Sequence, residues 1–195
     1  MLGAPLRTIR SFEHQNNLPP GSVGRVIQGG GSQGPWARLE RGEIPLAAFY
    51  DTLDADAARA GHPFSASALL HELARGSQPN EAMVAAIRTI RASGLRVAAL
   101  TNNWDSDDAF STQVAAIGSE FDLVLESWRV GHRKPEQRIY ELLLERLELP
   151  APALLFLDDL GSNLKPARAM GMTTIHVKDI TSALRELSAA LGRPL

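Results

Sequence analysis

The chain has 195 residues, 44% hydrophobic and 22% charged, enough for a core domain and a small accessory one. Its net charge of −2 gives no bulk attraction to nucleic acid or to an anionic membrane surface. The absence of cysteine excludes disulfides, thiolate nucleophiles and cysteine-ligated zinc, and no apolar run approaches the ~20 residues of a membrane span.

Residues 1–17 carry Arg7, Arg10 and Glu13 without an apolar signal core. They are read as folded structure of a cytoplasmic chain, with a transit peptide as the alternative. Up to about Gly76 the pattern predicts short helices over 8–16, 21–28, 35–41, 45–60 and 65–75, and no strand. Breaker-rich stretches such as Leu18-Pro19-Pro20-Gly21 and Gly61-His62-Pro63 separate them. Beyond that point the character changes. A helix over 81–93 is followed by a buried strand over 95–101, a second strand over 123–126, and an amphipathic helix over 135–147 opened by Pro135. A third strand over 153–157 runs into two aspartates. A helix over 163–170 closed by Gly171, a fourth strand over 173–177 and a helix over 182–191 complete the pattern. Strands alternating with helices predict βαβ units and a parallel sheet.

In such a sheet chemistry gathers in the loops at the C-terminal strand ends. The first end reads Ala99-Leu100-Thr101-Asn102-Asn103-Trp104, where a hydroxyl and an amide suit a phosphoryl oxygen, or equally a plain strand-to-loop turn. The second leads to Gly131-His132-Arg133-Lys134-Pro135. Lys134 there is a point charge for phosphate and carboxylates, or a solvated loop lysine. The third, Leu154-Leu155-Phe156-Leu157, runs directly into Asp158-Asp159. Adjacent carboxylates at a buried strand end repel unless a cation compensates them. Asp159 as a magnesium ligand and Asp158 as the partner of Lys134 resolve the conflict; the alternative is an aspartate capping the helix near Ser162.

Two other patterns point nowhere. Gly29, Gly31 and Gly34 match G-x-G-x-x-G, but no strand precedes them. Asp54 and Asp56 lie two apart on a predicted helix, on different faces, and read as solvated. The five histidines show no metal-ligand spacing, and His176 reads as structural.

Taken together, the segments LTNN, KPEQRIYELLLERL and FLDDLGSNLKPARAMGM resemble motifs II, III and IV of the haloacid dehalogenase superfamily, in order and spacing. Their wording is similar to the phosphatase domain at the N-terminus of soluble epoxide hydrolases, and more so to the phosphatase-like domain of acyl-CoA dehydrogenase family member ten. QNNLPPGSV, GGGSQGPWARLERGEI and ALGRPL extend the resemblance from about residue 5 to the C-terminus. It implies an α/β fold: a Rossmannoid core at 77–195, a parallel sheet flanked by helices, beneath an N-terminal helical cap at 1–76. It implies Mg2+-dependent hydrolysis of a small phosphorylated substrate, a phosphate monoester, through an aspartyl-phosphate. By position, Thr101 and Asn102 would bind the phosphoryl group. Lys134, beside Asp158, would neutralise its charge and orient the acidic cluster. Asp159 would ligate Mg2+, with Asp158 and Asn163 in support. Such catalysis needs positioning and charge neutralisation above all.

The resemblance also sets an expectation at the N-terminus. The family opens with an apolar strand and Asp-x-Asp or a close variant, whose first carboxylate attacks phosphorus. Met1-Leu2-Gly3-Ala4-Pro5 aligns just downstream of it, and no aspartate precedes Asp51. The expectation is a chain inactive as given, lacking the central strand between those that end at Thr101 and Asp158. A catalytically dead protein that binds phosphorylated ligands or a partner is the alternative. A haloalkanoic acid dehalogenase is a weaker reading, because the Asp158-Asp159 pair favours metal-dependent chemistry. Epoxide hydrolysis belongs to a separate domain.

Overall fold

A computed structural model describes residues 5–76, 79–105 and 117–195. Its first part is helical: α1 (Pro5–Gln15), α2 (Ser22–Gly29), α3 (Pro35–Glu40), α4 (Leu46–Arg59) and α5 (Ala66–Gly76). Helical spacing sets the buried face of each. Phe49, Leu53 and Ala57 stand one turn apart along α4 and are fully buried. They pack with Phe12, Val23, Val26, Leu69, Leu70 and Leu73 into one apolar cluster, which Trp104 joins from the other half. Aromatic edges organise it: Trp36 meets Phe49 at 5.7 Å and Trp104 at 6.0 Å.

Helix starts are satisfied from a distance. Glu13 on α1 is buried, and its carboxylate accepts the Gly21 and Val23 N–H groups at 2.9 Å each, at the start of α2. Asp54 accepts the Ala66 N–H at 2.6 Å and so caps α5, while Asp56 pairs with Arg59. The spacing predicts a solvated pair; in the structure Asp54 caps a second helix and Asp56 serves its own. The three glycines of the G-x-G-x-x-G match lie at the end of α2, in the 3-10 turn Gly31–Gln33 and ahead of α3, with no strand before them among the described residues.

The second part alternates: α6 (Glu81–Ala92), β1 (Ala98–Thr101), β2 (Leu123–Glu126), α7 (Ser127–Val130), α8 (Gln137–Leu147), β3 (Leu155–Asp158), α9 (Gly161–Ala169), β4 (Thr173–His176) and α10 (Ile180–Leu191). β1 pairs with β2 and β3 with β4, both parallel, with Thr101 opposite Glu126 and Asp158 opposite His176. Among the described residues the strands ending at Thr101 and Asp158 share no ladder, so the sheet stands as two pairs. Side-chain alternation nevertheless places both pairs in one layer. Ala98, Leu100, Leu123 and Leu125 pack with Leu154 and Phe156 against Ile139, Tyr140 and Leu143 of α8. On the opposite face Val97, Leu155, Leu157 and Ile175 pack with Ile90 of α6 and Leu187 of α10.

Several boundaries differ from the expected ones, among them the starts of β1 and α8. β1 starts at Ala98 rather than Leu95 because Asp122 occupies the preceding position. Its carboxylate accepts the Val97 N–H at 2.8 Å and its own N–H donates to the Val97 carbonyl at 2.8 Å. α8 starts at Gln137, not at Pro135, because Glu136 is extended. The short helix α7 was not anticipated. No helix of the described residues is long and apolar enough to cross a membrane.

Candidate functional site

The C-terminal ends of β1 and β3 and the loop between α7 and α8 converge. Lys134 Nζ lies 2.8 Å from Asp158 Oδ2, with side chains only 12% and 4% exposed. The other oxygen, Oδ1, accepts the Leu160 N–H and the Asn163 amide, each at 2.9 Å. A carboxylate this buried is tolerated because each oxygen has a charged or polar donor. Asn163 is held in turn by Tyr140, whose hydroxyl donates to its carbonyl at 2.7 Å. Burial, with the Asp158 charge added, pushes the Tyr140 phenol up. The Lys134 ammonium also stands 5.9 Å above the Phe156 ring.

Asn102 grips the Lys134 peptide at both polar ends. Its Oδ1 accepts the Lys134 N–H at 2.8 Å and its Nδ2 donates to the Lys134 carbonyl at 3.0 Å. Asn103 ties the same strand end to α7, exchanging bonds of 3.0 and 3.1 Å with the Ser127 hydroxyl. Thr101 is half-buried, and its hydroxyl sits at 3.5 Å from the Asn102 carbonyl, the limit of a hydrogen bond. Lys134, Asp158, Asn163 and Asn102 therefore form one connected network. Thr101 adjoins it only through the chain. Asp159 does the same: it is exposed and its carboxylate has no partner among the described residues, while its carbonyl lies 3.0 Å from His176 Nε2.

No group of three or more acidic or histidine side chains close enough to hold a metal occurs among the described residues. A single carboxylate oxygen donor is one that a hard ion such as Mg2+ takes in preference to a softer ion, since Mg2+ accepts one or two carboxylates completed by phosphate and water. Asp158 is engaged with Lys134, which leaves Asp159 as the available carboxylate.

Four further residues surround the network, and their sequence context gave no sign of it. Glu40, at the end of α3, is 6% exposed. It accepts from Trp36 Nε1 at 3.1 Å, from Asn102 Nδ2 at 3.3 Å and from Arg133 Nε. Burial pushes the Glu40 carboxyl above the usual range, against the opposing pull of Arg133. Arg41 donates to Glu136 and to the Ser32 carbonyl, each at 2.9 Å, and binds Glu43. Glu40 and Arg133 are 93 residues apart in a chain rich in both charges. Local pattern does not carry such a pairing.

The model of one family, haloacid dehalogenase-like hydrolase, matches residues 7–171. Mouse acyl-CoA dehydrogenase family member 10 is 39% identical over 189 residues, 94% of this chain and 17% of that protein. Pig bifunctional epoxide hydrolase 2 is 33% identical over 192 residues, 92% of this chain and 35% of that protein. The chain thus spans about a third or less of these two relatives. A sesquiterpene phosphatase of Aspergillus oryzae is 26% identical, with 80% of this chain and 79% of that protein aligned. Among solved structures, a HAD family enzyme of Bacteroides thetaiotaomicron in complex with magnesium and inorganic phosphate has a TM-score of 0.61. It is 18% identical over 88% of this chain and 84% of that one, a likeness of fold.

Proposed function

The chain belongs to the haloacid dehalogenase-like hydrolase family, and on that premise we propose that its site takes the phosphoryl group of a small phosphate monoester with Mg2+. The observation that carries the reading is the buried Lys134–Asp158 pair at the end of β3, beside the Thr101 end of β1. In this reading the pair keeps an ammonium fixed and dehydrated where phosphoryl charge must be neutralised. Thr101 supplies a hydroxyl to a phosphoryl oxygen. Asn102 reaches that oxygen with its side-chain amide only by giving up a bond to Lys134 or Glu40, so its main part is to hold the Lys134 peptide. Asp158 and Asn163 orient Lys134. Asp159 holds magnesium, which supplies further neutralisation of the phosphoryl oxygens. The helical layer at 5–76 serves as the cap over the site.

These 195 residues alone bind without turnover, in our reading. Asp158 is committed to Lys134 and Asp159 to the metal, so neither carboxylate of this strand end is left to attack phosphorus. The test combines inorganic phosphate titration with an aryl phosphate assay in Mg2+. Expected is phosphate binding that disappears in Lys134→Ala, with no release of the phenol. Turnover abolished by Asp159→Ala would overturn the inactivity. Wild-type protein without phosphate affinity would overturn the site itself.

A further inference from the structure

Besides the apolar contact of Trp104 with the helical cluster, the junction between the helical layer and the α/β half carries charged pairs. Glu40 and Arg41 are consecutive at the end of α3, and they pair with residues of opposite sign on the loop that carries Lys134. Glu40 meets Arg133, with side chains 8% and 21% exposed, and Arg41 meets Glu136, with 8% and 30%. One contact falls just before Lys134 and the other two residues after it. Glu136 closes the loop on itself by accepting the Arg133 N–H at 3.1 Å. Asn102, which clamps the Lys134 peptide, also donates to Glu40. The α3 end has little slack: Gly42 sits at φ +68°, and a Cβ there would lie 2.6 Å from the Trp128 carbonyl oxygen of α7. Ion pairs on an open surface contribute little. Pairs this shielded hold direction, because removing one member leaves the other's charge only partly compensated.

We propose that Glu40 and Arg41 are positioning residues for Lys134, so that seating of the helical layer on residues 133–136 and presentation of the ammonium to an anion are one coupled event. The anion's identity rests on the phosphoryl reading above; the placement of Lys134 does not. Neither residue touches the anion: Glu40 acts through Arg133 and Asn102, and Arg41 through Glu136.

The test reads two quantities on the full chain, hydrogen exchange at the Lys134 amide and affinity for inorganic phosphate. Glu40→Gln removes the charge of one pair, and Arg41→Glu reverses the other. Each is expected to speed Lys134 exchange and weaken phosphate binding by about tenfold, while exchange at Ile175 in β4 is unchanged. Arg41→Glu combined with Glu136→Arg, and with Glu43→Gln to remove the second carboxylate that Arg41 binds, restores the pair with its polarity swapped and should recover both readouts in part, which a loss of general stability would not allow. If Arg41→Glu does not fold, Arg41→Met keeps most of the volume and carries the same expectation. Unchanged Lys134 exchange in folded Glu40→Gln and Arg41 variants overturns the proposal, as does a swap that rescues neither readout. A wild-type chain without phosphate affinity sinks the phosphoryl reading alone, since the exchange arm still decides the coupling.

Discussion

Asp158 is nearly sealed from water, and three donors surround it: the Lys134 ammonium, the Leu160 N–H and the Asn163 amide. Its neighbour Asp159 is exposed and without such partners among the described residues. One step along the strand thus separates a carboxylate fixed in an ion pair from one open to a cation. Glu40 represents the opposite balance. Its burial disfavours the charged form more strongly than Arg133 favours it, so the folded chain holds this proton above the ordinary value of 4.5. The unfolded chain releases the proton near that ordinary value. Between the two the folded state binds more protons, and stability falls as pH rises. Glu40→Gln lacks this titration. Urea unfolding from about pH 4 to about pH 7 should show the wild type losing stability relative to Glu40→Gln. A difference that stays constant, or moves the other way, would falsify the assignment.

At the scale of elements, the helices follow from their apolar spacing and their first turns. Asn80 illustrates the second term. It is extended, and its side chain accepts the Met83 N–H at 3.1 Å at the head of α6. Asn80→Ala should lower unfolding free energy by about 1 kcal/mol, read as a shift in the urea midpoint without a change in slope; no shift would mean that solvent satisfies that N–H equally well. Asp179 does the same for α10, accepting from Ser182 N at 2.8 Å; the Ser182 hydroxyl, at 2.6 Å, and then that N–H hold its carboxyl below the usual range. Most of these helices were legible because a cap and a periodic face are local signals. The start of α8 was not. Pro135 suits the first turn of a helix, but Glu136 turns back to accept from Arg133, and the helix opens only at Gln137.

The whole molecule contains separate apolar clusters. One comprises residues of α1 to α5, their connections and Trp104. The others belong to the strands, α6 and α8 to α10. Charged pairs from α3 to the Lys134 loop join the halves, and α8 spans the two strand pairs on one face. Stability in such a molecule need not be uniform. Phe49, fully buried in the helical cluster, provides the test. Phe49→Ala should cost about 3–5 kcal/mol locally, speeding amide exchange at Leu53 while Leu143 and Ile175 keep most of their protection. Equal loss at all three would show that the halves unfold as one unit.

What the sequence by itself determined is what short-range chemistry encodes: the helical first part, the βαβ alternation after it, and strand ends at Thr101 and Asp158 with Lys134 ahead of a proline. Each of these depends on residues a few positions apart. The Lys134–Asp158 pair is already an expectation of the sequence. Only the tertiary structure decided which further groups meet. It turned Asn102 toward the Lys134 peptide and brought Glu40 and Arg41 from the helical layer onto the same loop. The physical reason is that an ion pair between residues 93 apart has no local period or cap to announce it. Its partners are chosen by the packing of whole elements, which excludes water from some charges and leaves others exposed.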